Sequence, residues 1–327
     1  MKTVGIFNDT STSGHFGCTA VMNTLVSELE RRQIKPAYLW PVGLDWQPYT
    51  AKLEQAEPDM IIVNGEGTIH HSTERKRTRD LLAVAPYAKS QGKPAHLVNA
   101  SITALDASAI EALRAFDTIH VRESESRQYL AEHKIEAQIV PDLSLGISAP
   151  KPAATRGGII VTDSVYRDTA QGLKNFSDLA NANFVKMKKR LPFQARLISK
   201  IQRNIQGSPA STKWRPRSDV KAFVRDLAGK ELLVTGRFHS VLLSILTDTP
   251  FIALPSNTRK IEAVLHDALM SGSRLISPND LLSQKFLAET RRGIPFTSDE
   301  LEALASYRTH ARISRSKMFD LIADSVL

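Results

Sequence analysis

The sequence is poor in cysteine and contains no long apolar run. Its 327 residues include a single cysteine, so no disulfide can form within the chain, which fits a reducing compartment. No stretch approaches the roughly 18 to 20 apolar residues that a membrane-spanning helix needs, and the first nine residues predict a strand rather than a signal peptide. Aromatic residues make up only 6% of the chain, which shows no recognised nucleic-acid-binding motif. We therefore expect a cytoplasmic globular protein that binds no nucleic acid.

Positive charge is in excess, with 43 Lys and Arg residues against 34 Asp and Glu and a net charge of +9. This excess favours an acidic partner such as a phosphorylated donor, an anionic glycan or an anionic membrane surface. It is concentrated in residues 186–225, where Asp219 is the only acidic residue. Basic runs are usually solvated faces, but this imbalance predicts binding of anionic glycan, phosphate or lipid headgroups, with peripheral contact to the inner face of a membrane.

Short apolar runs alternate with helical segments along the chain, which predicts parallel, doubly wound sheets. In residues 1–147 the predicted strands are Val4–Phe7, Ala37–Trp40, Met60–Val63, Ala95–Asn99, Thr118–Val121 and Gln138–Val140. Residues 148–157, rich in Pro and Ala, predict a linker. Residues 158–327 then form a second domain, with a strand at Arg274–Ser277 and a long terminal helix from Ser298. The predicted fold is α/β, with two Rossmann-like domains facing across a cleft.

The stretch Glu231–Lys260 places several charged residues at predicted strand ends. Arg237 and His239 follow one buried strand, and Arg259 and Lys260 follow the next. In a parallel sheet the carboxyl ends of the strands face the ligand crevice, so these side chains should converge there. A lone Arg or His after a strand is more often a packing residue. The pair and its repetition one strand later instead predict a site that binds anions and moves protons.

A glycine-rich loop, Asn64-Gly65-Glu66-Gly67, follows another predicted strand. Its glycines let the backbone approach a ligand. Glu66 could cap the next helix through its charge, or it could be a general base for an acceptor hydroxyl, and the sequence leaves both open. His70 and His71 follow, but with Glu66 or Glu74 they match no zinc-site spacing, and four cations come directly behind them. No metal is therefore expected.

Three further loops are predicted to face the cleft. His15 lies in a Gly- and Ser-rich loop before a helix, a potential cradle for phosphate or carboxylate, although no GxGxxG fingerprint supports a dinucleotide. Cys18 beside it could be an activated thiol or simply a small residue at a helix start. Arg122 ends a predicted strand, and Asp142 could close the cleft or belong to a turn.

The string GRFHSVLLSILTDTPFIALPSNTRK resembles the C-terminal signature of the polysaccharide pyruvyl transferase family: a strand, Arg-x-His, an apolar helix, Gly-or-Asp-x-Pro, a strand and a Lys. Two other segments are similar to the same family, DMIIVNGEGTIH and TIHVRESESRQYLAEHKIEAQIVPDLSLG. Together the three span most of the chain in the family's order. Glu66 departs from the pattern, because the family usually has glycine there.

The resemblance implies a GT-B-like fold and a transferase that moves the enolpyruvyl group of phosphoenolpyruvate onto a sugar of a surface polysaccharide or its precursor, forming a ketal. The acceptor would be a glycan or a lipid-linked glycan, and no cofactor is expected. The alternative on the same fold is a glycosyltransferase that uses a nucleotide-activated sugar. A third hypothesis is a protein without catalysis that binds glycan or a membrane surface through its basic segment.

The resemblance assigns roles to three residues. It implies that Arg237 binds the donor carboxylate, Lys260 binds the phosphate, and His239 is the general acid. Our reading of the residues themselves adds Glu66, or less favourably His70, as the base. The predicted donor-binding residues are Arg237, Arg259, Lys260, Ser240 and Asn257, and the predicted cleft-loop residues are Asn64, Gly65, Gly67, Arg122, His15 and Asp142.

Overall fold

A computed structural model describes residues 1–150, 155–188 and 219–326. The first half of the chain builds a six-stranded sheet in the order β2-β1-β3-β4-β5-β6, with every neighbouring pair parallel. Its strands are β1 (Thr3–Asp9), β2 (Lys35–Pro41), β3 (Met60–Glu66), β4 (Ala95–Ala100), β5 (Thr118–Val121) and β6 (Gln138–Ile139). Every residue of β3 is buried, as expected of a central parallel strand covered on both faces.

Helices cover both faces of this sheet. They are α1 (Phe16–Arg31), α2 (Thr50–Gln55), α3 (Lys76–Leu82), α4 (Val84–Ser90), α5 (Ala107–Leu113) and α6 (Ser124–Glu132). One core, which includes Phe7, Val63 and Leu97, lies on one face, and a second, which includes Ile6, Ile62 and Val98, lies on the other. The alternation of neighbouring residues between the two cores follows from the period of two along a strand.

The second half of the chain builds a four-stranded parallel sheet in the order β10-β9-β7-β8. Its strands are β7 (Ile159–Ser164), β8 (Asn183–Val185), β9 (Leu232–Gly236) and β10 (Phe251–Ala253). Its helices are α7 (Arg167–Leu179), α8 (Asp219–Ala228), α9 (Phe238–Thr247), α10 (Lys260–Leu269) and α11 (Gln284–Arg292). The predicted α/β class with two parallel, helix-covered sheets is confirmed.

The prediction of a strand at Arg274–Ser277 is wrong. A single parallel bridge joins Leu275 to Ala253, and no ladder forms around it. Residues 273–274 form a turn, and Leu275 meets β10 only at Ala253, the last residue of that strand, so the pairing cannot extend in either direction. The buried guanidinium of Arg274 donates to the Ile294 and Pro295 carbonyls and pairs with Glu300, which holds the segment in place.

The last helix, α12 (Ser298–Asp324), begins where the sequence predicts. Thr297 and Glu300 form a capping box, each side chain accepting from the other residue's backbone N–H. The first half of α12 packs into the core of the second sheet through Leu304, and its last turns pack into the core of the first sheet through Phe319. The helix therefore joins both halves, while the boundaries 1–147 and 158–327 stay a prediction.

Part of the sequence interpretation falls on residues outside the described ranges. Of the predicted basic segment, only residues 186–188 and 219–225 are described, and residues 151–154 of the predicted linker are not. Membrane contact through this segment accordingly stays a prediction. Among the helices of the described ranges, none is long and apolar enough to cross a membrane.

Candidate active site

The carboxyl ends of β1 and β3 face those of β7 and β9 across a cavity of about 420 Å³. Both halves supply its walls, as expected for a crevice between two parallel sheets. Among the lining residues are Thr10, His15, Cys18, Glu66, Gly67, Arg77, Arg122, Lys188, Arg237, His239 and Lys260. We call this space the main cavity.

A second cavity, of about 300 Å³, opens beside the main cavity and shares Gly67 and Lys260 with it. Its walls also come from both halves, and they include His70, His71, Ser101, Thr103, Glu125, Tyr129, Asn257 and Arg259. We call it the side cavity. A ligand in one cavity would thus lie next to a ligand in the other.

Arg237 and His239 enter the main cavity from the start of α9. Arg237 is the N-cap of this helix, in an extended conformation, and its guanidinium forms a two-pronged ion pair with Asp163 at 3.0 and 2.6 Å. This pair fixes the planar end of Arg237 in the cavity wall. Arg237 and His239, the two residues of the Arg-x-His pattern, therefore line the same cavity. Asp163 at the end of β7 holds Arg237.

Asp142 joins the two halves beneath the cavity. Its carboxylate accepts from Nη1 of Arg122 at 2.7 Å and lies 3.7 Å from Nε2 of His239, and both members of the Arg122–Asp142 pair are 1% exposed. Burial alone would raise the pKa of Asp142, but His239 and Arg122 hold that pKa well below its usual range. Asp142 is therefore ionised, and it positions His239 and Arg122 from below.

Glu66 ends β3 in a left-handed conformation, with φ of 43°. Its Oε1 accepts from Oγ1 of Thr10 at 2.5 Å and from Nδ2 of Asn64 at 3.1 Å, while Oε2 accepts from the Cys18 thiol at 3.2 Å. The next helix begins only at Lys76, so Glu66 does not cap it. The carboxylate is instead held in the cavity wall from one side, and its other oxygen faces Cys18.

His15 and Cys18 come from the start of α1. His15 is the N-cap, its Nδ1 accepts from the Gly17 N–H at 3.2 Å, and its ring lies 5.5 Å from the ring of His239. Burial, followed by the charges of His239, Arg237, Lys188 and Lys260, lowers the pKa of His15 well below its usual value. Burial and the Glu66 carboxylate raise the pKa of the Cys18 thiol. The thiol is therefore protonated, which opposes the activated-nucleophile alternative.

Lys260 stands where the two cavities meet. Its Nζ donates to Oδ1 of Asn257 at 3.0 Å, and burial together with the charges of Arg122 and Arg237 lowers its pKa to about 8. A Cβ atom at Gly67 would lie 3.8 Å from both Nη2 of Arg122 and Nζ of Lys260. Because residue 67 is glycine, the space between Arg122 of the first half and Lys260 of the second half stays open.

Three other predicted residues lie in the side cavity. His70 is buried against His71 and Arg75, and burial followed by the charge of Arg75 lowers its pKa to about 4. The side chain of Arg259 is 78% exposed and lies 3.6 Å from Glu125 across the cleft. Asn257 lines the side cavity and contacts Lys260. His70 is thus neutral, and it lines a different cavity from His239.

Besides Asp142, three predicted residues line neither cavity. Ser240 is fully buried, and its hydroxyl lies 3.1 Å from that of Thr162. Asn64 is fully buried and supports Glu66 from behind. Gly65 lets β3 approach β4, because a Cβ atom there would lie 2.5 Å from Cβ of Ala100. The structure therefore places these residues in support of the site.

Sequence reasoning missed several residues that line the main cavity or hold its side chains. Asp163 and Thr10 both lie at or just after a strand end, and this position was the signal that could have identified them. Lys188 is joined to His15 by an antiparallel bridge, a contact between distant segments that no local pattern predicts. Arg77, on α3, lines the main cavity although it lies far from any strand end.

Comparisons with known proteins identify the family and the fold of the chain. The family model described as polysaccharide pyruvyl transferase matches residues 15–258. No curated protein matches the sequence significantly. In structure, the chain is similar to the UDP-GlcNAc 2-epimerase of Neisseria meningitidis, with a TM-score of 0.57 and 12% identity over 100% of this chain and 99% of that one.

Two further solved structures show the same architecture. The UDP-GlcNAc 2-epimerase of Methanocaldococcus jannaschii gives a TM-score of 0.53 at 12% identity, over 98% of this chain and 100% of that one. A glycotransferase of kitacinnamycin gives 0.56 at 10% identity, over 100% and 99%. Identities this low show the fold alone, which is the predicted GT-B fold.

Proposed function

Because the chain belongs to the polysaccharide pyruvyl transferase family, we propose that it transfers the enolpyruvyl group of phosphoenolpyruvate onto a sugar of a surface polysaccharide or of its precursor. The product is a ketal that bridges two hydroxyls of one sugar. The observation that carries this proposal is the convergence of Arg237, His239 and Lys260, with Glu66 opposite, on one cavity of about 420 Å³.

The cations of the main cavity suit a small donor with a carboxylate and a phosphate. Arg122 and Arg237 already have carboxylate partners, Asp142 and Asp163. Within the described ranges Lys260 forms no ion pair, since its Nζ contacts only the neutral Asn257 side chain. Its lowered pKa also means that its charge is poorly compensated, so an anion bound there gains a strong charge-assisted hydrogen bond. We assign the phosphate to Lys260 and the carboxylate to the exposed edge of Arg237.

His239 is the proton donor in this proposal. The reaction begins when the methylene carbon of the donor takes a proton, which leaves an oxocarbenium centre at the neighbouring carbon. Asp142 lies 3.7 Å from Nε2 of His239, so Nδ1 is the ring nitrogen available for this transfer. Asp142 is a positioning residue here, because it acts through His239.

Glu66 takes the proton of the acceptor. The first sugar hydroxyl attacks the oxocarbenium centre and gives its proton to the Glu66 carboxylate, and inorganic phosphate leaves with the C–O electron pair. The second hydroxyl then attacks the same carbon to close the ketal and gives its proton to the His239 ring, while the departing phosphate takes the proton that Glu66 received, so both residues return to their starting states. Thr10 and Asn64 hold Oε1 of Glu66, which leaves Oε2 for the proton. Glu66 comes from the first half and His239 from the second, so closure of the cleft brings both to the donor.

The side cavity is the place that we assign to the acceptor sugar. It shares Gly67 and Lys260 with the main cavity, so a sugar there lies beside the donor. Its walls combine hydroxyls, carboxylates and amides with the ring of Tyr129, the mixture of polar and apolar groups that sugars need.

The test is donor binding by thermal shift, with phosphoenolpyruvate set against nucleotide sugars and free nucleotides. A ligand at about 100 times its dissociation constant stabilises the folded state by about 2.7 kcal/mol, which is measurable. We expect a shift with phosphoenolpyruvate that Arg237→Ala and Lys260→Gln abolish and that Arg259→Ala keeps, because Arg259 lies at the exposed rim of the side cavity. A shift with nucleotide sugars alone would replace this proposal with the glycosyltransferase alternative.

A further inference from the structure

Three side chains of types that can bind a metal ion lie close together in the wall of the main cavity. His15, Cys18 and His239 each offer one ligand atom, and the three atoms lie within 4.8 Å of one another. His15 and Cys18 come from the start of α1, and His239 comes from the start of α9, so the cluster forms only when the two halves meet. We propose that these three residues bind a zinc-class divalent ion and that the bound ion inhibits the enzyme.

The donor set selects the kind of metal. Two imidazoles and one thiolate are ligands typical of tetrahedral zinc, and they are poor ligands for magnesium or calcium. With Zn–S of about 2.3 Å and Zn–N of about 2.1 Å, tetrahedral ligand atoms lie about 3.5 Å apart. The separations of up to 4.8 Å must therefore close by about 1.3 Å at most, which side-chain rotation can supply.

Glu66 lies next to the cluster. Its Oε1 is held by Thr10 and Asn64, and its Oε2 lies 3.2 Å from Sγ of Cys18. An ion that binds the sulfur therefore has a carboxylate close by that attracts it. Nε2 of His239 faces Asp142 at 3.7 Å, so Nδ1 is the nitrogen that this ring offers to the ion, as it is for the proton in the proposed reaction.

Binding requires protons to leave. The metal bonds to the sulfur of Cys18 as the S–H bond breaks, and His239 gives up the proton from the nitrogen that binds the ion. Both protons pass to the buffer.

Inhibition follows from the residues that the ion engages. His239 cannot donate a proton from Nδ1 while that nitrogen is bound to metal. This part of the inference rests on the proposed function. The ion site itself does not, and it can be tested in the absence of any substrate.

Cobalt is the probe, because a thiolate bound to cobalt gives an intense charge-transfer band in the near ultraviolet. The chain has one cysteine, so in tag-free, metal-depleted full-length protein this band reports Cys18 alone. We expect a band that saturates at one cobalt per chain, disappears when zinc displaces the cobalt, and is missing in Cys18→Ser. Titration calorimetry in buffers of different ionisation enthalpy should show that protons are released on binding.

Three histidine variants test the ligand assignment. His15→Gln and His239→Gln should each weaken cobalt binding on the order of tenfold or more. His71→Gln is the matched control, because His71 lines the side cavity, and it should bind cobalt like the wild type. Wild-type protein without a band would overturn the site, and equal affinity in His71→Gln and His239→Gln would remove His239 from it.

The two proposals can fail separately. A cobalt band without any reaction of phosphoenolpyruvate would leave the ion site and refute the proposed function. Turnover of phosphoenolpyruvate without a cobalt band would support the proposed function and refute the ion site. The band and its displacement by zinc are measured in wild-type protein, so a variant that fails to fold, as circular dichroism would show, leaves the test decisive.

Discussion

Two buried histidines should make the protein sensitive to mild acid. His96 on β4 and His120 on β5 are at most 1% exposed, and burial lowers the pKa of each to about 4. The ring of His96 is hydrogen-bonded to Thr118 and Ser325, whereas neither ring nitrogen of His120 has a partner within the described ranges. Both are therefore neutral in the folded protein at pH 5 to 7.

The size of the effect follows from linkage. Between pH 6.5 and pH 4 the unfolded chain binds protons on these histidines that the folded chain does not. Their contribution to stability is therefore complete above pH 6.5 and is lost as the pH falls toward 4. In this range each histidine lowers the free energy of unfolding by about 1.4 kcal/mol per pH unit. From pH 6.5 to 5 the loss is therefore about 2 kcal/mol for each histidine and about 4 kcal/mol for the pair.

Urea unfolding at pH 6.5 and pH 5 measures this loss. We expect His120→Leu to remove about half of it, because a leucine of similar bulk carries no proton. His310→Leu is the control, since His310 is exposed on α12. Other groups that titrate in this range contribute equally to all three proteins. An unchanged pH dependence in His120→Leu would refute the reasoning.

Three further predictions concern the site. Asp142→Ala leaves the Arg122 guanidinium buried without a partner, so the free energy of unfolding in urea should fall by about 3–5 kcal/mol, and a loss below about 1 kcal/mol would show that Arg122 finds another partner. Gly17→Ala places a Cβ atom 2.1 Å from Cγ of His239, so transferase activity should be lost, whereas Gly272→Ala, with open space around it, should keep full activity. Affinity for phosphoenolpyruvate should fall about fivefold from pH 8 to 9 as Lys260 loses its proton, and Lys260→Arg, which stays charged, should bind equally at both values in calorimetry.

Much of the site could be predicted because it depends on strand ends. Arg237 and Glu66 lie at or directly after buried strands, and parallel strands bring their carboxyl ends to one edge. The same rule placed Lys260 in the main cavity. No knowledge of side-chain packing was needed for these residues, because topology alone determines which edge they occupy.

The remainder depends on contacts between distant segments. Asp142 contacts Arg122 and His239 only because the two halves pack together, and its sequence context is equally consistent with a turn. Ser240 follows the Arg-x-His pattern, yet the helical rotation of about 100° per residue turns it from the cavity toward Thr162. The direction of a side chain within the helix that follows a strand is thus the limit of what this reasoning can place.

The last turns of α12 have a consequence for synthesis on the ribosome. Met318, Phe319 and Ile322 complete one face of the first sheet's core, beside Val4 and Ile62, and Nζ of Lys2 donates to the Ala323 carbonyl at 2.7 Å. These residues are translated after the whole second sheet. The nascent first half, whose same face α1 covers only in part, therefore keeps exposed apolar surface until α12 emerges, and exposed surface of this kind favours aggregation.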